Sequence, residues 1–228
     1  MKHIVVLTGA GMSAESGIAT FRDSGGLWDK FKVEDVATPE AFAKNPALVL
    51  DFYNIRRKEC FNVKPNPGHI GLAELEKDFK VSVITQNVDD LHERGGSSNV
   101  LHLHGELKKV RSTADPDLIY ELTADNAEIH LGDKCEKGSQ LRPHIVWFGE
   151  AVPMIEKAAD ICGTADIMVI IGTSLNVYPA AGLLNYAPNG TSIYLIDPKP
   201  VEAWRKDICF IQKGASEGVR ELTTMLKA

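Results

Sequence analysis

Apolar residues along the chain fall into short β-branched runs separated by segments of helical periodicity. The runs Ile4–Leu7, Val81–Thr85, Asn99–Leu103, Ile167–Ile171 and Ser192–Ile196 are each bounded by turn residues. Runs that stay apolar at nearly every position suit strands buried on both faces of a parallel sheet. Between them, Leu72, Leu75 and Phe79 share one helical face, and Val219, Leu222 and Leu226 share another near the C-terminus. Strands alternating with helices predict an α/β fold, a doubly wound parallel sheet of Rossmann-like form.

Two stretches break the alternation. Residues 29–68 read as a helical insert, with a helix over Pro46–Phe61, and close on the turn-rich Lys64-Pro65-Asn66-Pro67-Gly68. Residues 107–142 are polar and irregular, with short strand-like pieces and no clear helix. The two insertions predict a small second lobe (29–68 and 107–142) beside a main domain of residues 1–28, 69–106 and 143–228, with a cleft between them.

Composition narrows the function classes. A chain of 228 residues with 44% hydrophobic and 25% charged residues is ordinary for a soluble protein with a sizeable core. The net charge of −6, without a dense Lys/Arg block, argues against nucleic acid as the main ligand. No apolar run approaches the roughly 20 residues of a membrane span, and the first run is too short for a signal peptide. Cys60, Cys135, Cys162 and Cys209 lie far apart and form no CxxC pair. That pattern fits a reducing cytoplasm and predicts neither a disulfide framework nor a four-thiolate metal site.

The residues suited to chemistry stand at the ends of the predicted strands, where open α/β sheets bind ligands. The first strand runs into Gly9-Ala10-Gly11-Met12-Ser13-Ala14-Glu15-Ser16-Gly17. Glycines there let backbone approach a pyrophosphate, and the following helix start offers free N–H groups and a positive dipole end. Taken alone the segment equally suits a plain connecting turn, because Ala14 replaces the third glycine of the usual fingerprint. The second strand lacks the terminal acid that binds ribose in dehydrogenases and leads instead into Thr85-Gln86-Asn87-Val88-Asp89. Next comes His102-Leu103-His104-Gly105, where a histidine is available as a general base near neutral pH. Gly172-Thr173-Ser174 follows a further apolar strand.

Together, Gly9-Ala10-Gly11-Met12-Ser13, Ser16-Gly17-Ile18, Phe21-Arg22, Thr85-Gln86-Asn87-Val88-Asp89, His104-Gly105, Val146-Trp147-Phe148-Gly149-Glu150 and Gly172-Thr173-Ser174-Leu175 resemble the sirtuin signature, in that family's order and spacing. The resemblance implies an NAD-dependent protein-lysine deacylase. It places Gly9, Ala10, Gly11, Ala14, Phe21, Arg22 and Trp28 beside the NAD phosphates and the cofactor loop, and Gln86 on the nicotinamide-side ribose. Asn87, Asp89 and Ile18 would form the nicotinamide pocket. Gly172, Thr173 and Ser174, with Leu195, Ile196, Asp197 and Ala215, would line the adenosine end. Phe148, Gly149 and Glu150 would flank an acyl-lysine peptide added as a strand between the lobes. In the implied reaction the acyl oxygen attacks the ribose carbon that carries nicotinamide, and His104 then deprotonates a ribose hydroxyl. Lysine, nicotinamide and O-acyl-ADP-ribose leave.

Two features are more particular. Most sirtuins hold a structural zinc through two cysteine pairs, whereas the matching positions here read Ser112, Asp115, Cys135 and Gly138. Zinc is therefore not expected there, and Asp115, His130 and Cys135 would be the remaining donors for one. Asp51-Phe52-Tyr53-Asn54-Ile55-Arg56-Arg57 resembles the segment of sirtuins that remove succinyl, malonyl or glutaryl groups. There a tyrosine hydroxyl and an arginine fork bind the acyl carboxylate. Helical spacing alone does not choose between Arg56 and Arg57 beside Tyr53, and the family alignment favours Arg56.

Overall fold

The structure, a computed structural model, describes residues 1–19, 30–175, 177–201 and 207–227. Its main sheet has six strands: β1 (His3–Thr8), β2 (Lys80–Thr85), β3 (Val100–His102), β7 (Ile167–Ile171), β8 (Ser192–Ile196) and β9 (Ile208–Ile211). Every pairing is parallel, and the order is β3-β2-β1-β7-β8-β9. The expected doubly wound sheet is thus present, and each predicted run forms a strand within a residue or two of its bounds. The predicted runs omit β9. It is an edge strand whose Cys209 and Phe210 are exposed, so it lacks the all-apolar mark of the inner strands.

Alternation along β1 explains the two layers. Ile4 and Val6 point into one core with Leu72, Leu75, Val219 and Leu222, the residues of the two predicted helical faces. Val5 and Leu7 point into the other, with Ala158, Cys162, Leu183 and Leu184. Helix α5 (Pro67–Glu74) and the C-terminal helix α8 (Ala215–Lys227) cover the first face, and α7 (Ile155–Cys162) covers the second. Asn66 caps α5 by accepting from the N–H groups of Gly68 and His69 at 2.9 and 3.3 Å. Its amide also donates to Met12 O at 2.8 Å, which ties the end of the insert to the glycine loop.

The second lobe has a core of its own. Helix α4 (Pro46–Asn62) buries Val49, Phe52, Tyr53 and Cys60 against Leu107, Ile145 and Trp147. The polar stretch is more regular than its sequence suggests, being an antiparallel sheet of β4 (Gly105–Ser112), β5 (Ile119–Glu121) and β6 (Leu141–Ile145). These strands reach past 107–142 on both sides. Their exposed faces carry the polar residues, and only every second or third position is buried.

At the zinc-type positions the donor set does not fit a tetrahedral metal. The Cys135 thiol donates to Ser112 Oγ at 3.3 Å, and Ser112 Oγ accepts from the N–H groups of Ala114 and Asp115. Asp115 pairs with Lys137 at 2.6 Å, and Gly138 has no side chain to offer. His130 turns to the exposed Glu128 and does not join Asp115 and Cys135. An ammonium and hydroxyl–thiol bonds take the place a cation would hold. EDTA treatment should therefore leave the lobe folded, with its near-UV circular dichroism and cooperative unfolding retained. Collapse of the tertiary signal on chelation would contradict this reading.

Candidate active site

The site lies where the strand order reverses, between β1 and β7. Helix α1 (Gly11–Ala14) is a single turn, so what this loop offers a phosphate is close backbone rather than the dipole of a long helix. Gly9 N–H donates to Ile171 O at 3.0 Å and Gly11 N–H to Gly172 O at 2.9 Å. Gly172 has φ +61°, and a Cβ there would stand 2.4 Å from Gly11 C and Met12 N. Only glycine satisfies both conditions.

Beyond these loops a cavity of about 650 Å³ opens between sheet and second lobe. Gly9, Ala10, Gly11, Ala14, Ile18, Gln86, Asn87, Asp89, His104, Gly172, Thr173, Ser174 and Asp197 line it, as do Tyr53, Arg56, Phe148, Gly149 and Glu150. The side chains of Leu195 and Ile196 do not reach it, because both are packed into the cores on opposite faces of the sheet. Ala215 is likewise buried at the start of α8, and its neighbour Gly214 lines the cavity instead. Phe21, Arg22 and Trp28 lie outside the described residues.

Hydrogen bonds to backbone and to one another hold the polar groups in place. The Asn87 amide donates to Gly9 O at 3.0 Å and to Ser13 Oγ at 3.1 Å, and Ser13 Oγ donates to Asp89 Oδ2 at 2.9 Å. Burial pushes the Asp89 carboxyl pKa up, opposed by the donors Leu91 N–H and Ser13 O–H. Ser13 is the residue that sequence reasoning passed over. Its signal was a lone polar side chain buried just after the glycines, joining Asn87 to Asp89. The Gln86 amide donates to Thr173 Oγ1 at 3.1 Å, which leaves its carbonyl oxygen as an acceptor.

His104 sits after β3, where Gly105 turns the chain into β4. Gly105 has φ +82°, and a Cβ there would meet His144 O at 2.0 Å. His104 Nδ1 is 3.1 Å from the Gln86 carbonyl, so Nδ1 carries the proton and Nε2 holds the lone pair. Burial lowers the His104 pKa below the ordinary imidazole value, against the opposing pull of that carbonyl. A neutral imidazole with a free Nε2 is the form a general base needs.

Tyr53 and Arg56 lie one turn apart on α4. Tyr53 is 1% exposed, and its hydroxyl accepts from Trp147 Nε1 at 3.1 Å. The Arg56 guanidinium lies 5.7 Å from the Phe52 ring centre and 5.8 Å from that of Tyr53. Arg57 turns the other way. It is 1% exposed and donates to Leu107 O, Asn54 Oδ1 and Ala127 O, and burial pushes its pKa down to about 10. The ambiguity of spacing is thereby resolved in geometry: Arg56 faces the cavity and Arg57 holds the second lobe together. The Glu150 carboxylate is engaged by Arg142 at 2.8 and 3.1 Å and by Trp147 N–H at 2.8 Å, so it orients the 147–150 loop. Phe148 N–H donates to Ala37 O at 3.0 Å and joins that loop to the helical insert.

A model described as the Sir2 family matches residues 9–179. The chain belongs to the sirtuin, or Sir2, family. An NAD-dependent protein deacylase of Bacteroides thetaiotaomicron is 64% identical over 230 residues, covering 99% of this chain and 98% of that protein. One from Helicobacter pylori is 56% identical over 203 residues, covering 89% and 87%. A solved Sir2 homologue–NAD complex superposes with a TM-score of 0.90 at 42% identity, over 99% of this chain and 90% of that one. A mutant Sir2 homologue bound to ADP-ribose gives 0.89 at 41% identity, over 99% and 94%.

The two arginines of this Sir2 chain separate by stability. Arg57→Met leaves buried carbonyls without donors and should cost about 2–4 kcal/mol. Arg56→Met should cost less. Urea unfolding of both variants checks this, and equal midpoints would contradict the assignment.

Proposed function

We propose that this chain, an NAD-dependent protein deacylase of the Sir2 family, prefers acyl-lysines whose acyl group itself ends in a carboxylate, such as succinyl- and malonyl-lysine. The observation that carries the preference is the placement of Tyr53 and Arg56 on the cavity wall. A guanidinium offers paired donors to a carboxylate, and the Tyr53 hydroxyl, already accepting from Trp147, has its own proton to donate. An acetyl group offers neither of them a carboxylate to bind. The names of the relatives support deacylation and are silent on the acyl group. A complex of a 29% identical Sir2 protein with deacetylated p53 peptide and 3′-O-acetyl-ADP-ribose supports acylated peptide as the substrate class.

NAD supplies an electrophilic ribose carbon whose leaving group, nicotinamide, is already cationic. The chain's residues do the rest by position and proton transfer. Gln86 presents its carbonyl oxygen to a ribose hydroxyl while Thr173 holds its amide. Asn87 and Asp89, clamped through Ser13, face the nicotinamide pocket beside Ile18. His104 accepts the ribose hydroxyl proton at Nε2, and the Gln86 carbonyl stabilises the imidazolium at Nδ1. Phe148 and Gly149, at the mouth of the cavity, flank the peptide, and Glu150 sets their loop.

His104→Ala should lower deacylation by about 10²–10⁴-fold while NAD affinity, measured by calorimetry, changes little. Near-wild-type turnover would remove His104 from the role of base.

The acyl preference is tested on matched acetyl-, succinyl- and malonyl-lysine peptides. Hydrogen bonds to a charged group are worth about 1.5–3 kcal/mol, so wild type should favour succinyl in kcat/KM by roughly 10- to 150-fold. Arg56→Met should erase most of that ratio while the acetyl rate holds or rises, and Tyr53→Phe should act in the same direction but less. A wild type that prefers acetyl-lysine, or variants that keep its ratio, would sink the proposal and leave the general deacylase activity standing.

A further inference from the structure

We infer that the chain carries a divalent-cation site outside the catalytic cleft, formed by Glu93, His102 and Glu106, that takes Zn²⁺ or a similar first-row ion. Their ligand atoms all lie within 4.8 Å of one another, the one such group of three among the described residues. They come from three elements: helix α6 (Leu91–Arg94), the end of β3 and the start of β4. All three line a second cavity of about 320 Å³, whose wall also includes Lys109 and His144.

The bonding of His102 points to a cation. Its side chain is 8% exposed, and Nδ1 lies 3.0 Å from the Asn87 carbonyl, to which it donates. A ring nitrogen donating to a backbone carbonyl fixes the tautomer and orients the other nitrogen, the usual support of a metal-ligating histidine. The other nitrogen, Nε2, stands 2.8 Å from Glu93 Oε1. With the first proton committed to Asn87, a second proton on Nε2 satisfies this pair as imidazolium and carboxylate, and a metal ion that displaced it would bind both atoms from beside the line that joins them. Glu93 Oε2 is also buried without a hydrogen-bond partner, which leaves it available as a ligand atom. One imidazole with two carboxylates suits zinc, which binds N and O donors at tetrahedral sites, better than magnesium, which favours oxygen and water. Glu106 is held by Lys109 at 2.6 Å, and that lysine side chain is 31% exposed, free to swing into solvent when the ion enters.

The position gives the ion a consequence. His104 lies two residues beyond His102, and Asn87, whose carbonyl His102 holds, presents its amide toward Gly9 and Ser13 at the cleft. A cation joining α6, β3 and β4 would brace the segment that carries the base. This site is distinct from the positions Ser112, Asp115, Cys135 and Gly138, and it does not depend on the proposed acyl preference.

The test is calorimetric titration of the EDTA-treated full chain with Zn²⁺, paired with thermal unfolding. Wild type should bind one equivalent and unfold at higher temperature when loaded. Glu93→Gln and Glu106→Gln, each near-isosteric, should each weaken binding by about tenfold or more and abolish the thermal shift, whereas Cys135→Ser should bind as wild type does. Absence of Zn²⁺ binding, wild-type affinity in both glutamine variants, or loss of binding in Cys135→Ser would overturn the assignment. Should a glutamine variant fail to fold, Co²⁺ loaded into wild type decides. Visible d–d bands without a thiolate charge-transfer band support the nitrogen–oxygen set, and a thiolate band refutes it.

Discussion

Two backbones meet at the centre of the main sheet, and the site is built around that meeting. The loop after β1 and the loop after β7 approach so closely that Gly9, Gly11 and Gly172 have no room for side chains, and Gly172 adopts a left-handed conformation besides. The approach pulls the chain away from the sheet on either side and leaves a crevice at the carboxyl ends of the strands. It also brings Gly9 O within reach of the Asn87 amide, so the glycine loop and the segment after β2 are fixed as one unit. A β-carbon at any of these positions would part the loops and disturb the polar groups that depend on them.

From this unit outward, three of the polar side chains are oriented by backbone carbonyls. Asn87 leans on Gly9 O, His104 on Gln86 O and His102 on Asn87 O. Carbonyls of the sheet margin do not rotate, so these side chains are held without the entropy cost of long flexible partners. The second lobe uses the same device at larger scale. Arg57 draws carbonyls of one strand and one turn, Leu107 O and Ala127 O, onto α4, and this packing directs Tyr53 and Arg56 into the cleft. Adjacent arginines thus divide the work, one holding the lobe together and one facing the cavity.

Much of this was legible in the sequence where burial leaves a mark. The inner strands are apolar at successive positions because both their faces are covered, and the helix faces of Leu72 and Val219 follow from the same cores. Strand β9 escaped because an edge strand carries exposed residues. The small sheet escaped because its outer face is polar and its strands are interrupted by turns. The glycines, Asn87 and His104 were readable as a motif, yet Leu195, Ile196 and Ala215 belong to the core, since a strand-end residue can face either way and periodicity does not say which. Arg56 and Arg57 show the limit of spacing most clearly. On a helix they differ by about 100°, and only the packing of the second lobe decides which one meets the cavity.

The proposed function requires that a single cavity hold the cofactor's nicotinamide ribose at Gln86 and His104 and the acyl tail at Tyr53 and Arg56. A crystal structure of the chain with an unreactive NAD analogue and a succinyl-lysine peptide tests it most directly. The expected result is the ribose hydroxyls against His104 Nε2 and Gln86, and the succinyl carboxylate bridged by the Arg56 guanidinium and the Tyr53 hydroxyl. A succinyl carboxylate pointing to solvent, or one held elsewhere with Arg56 turned away, would contradict it.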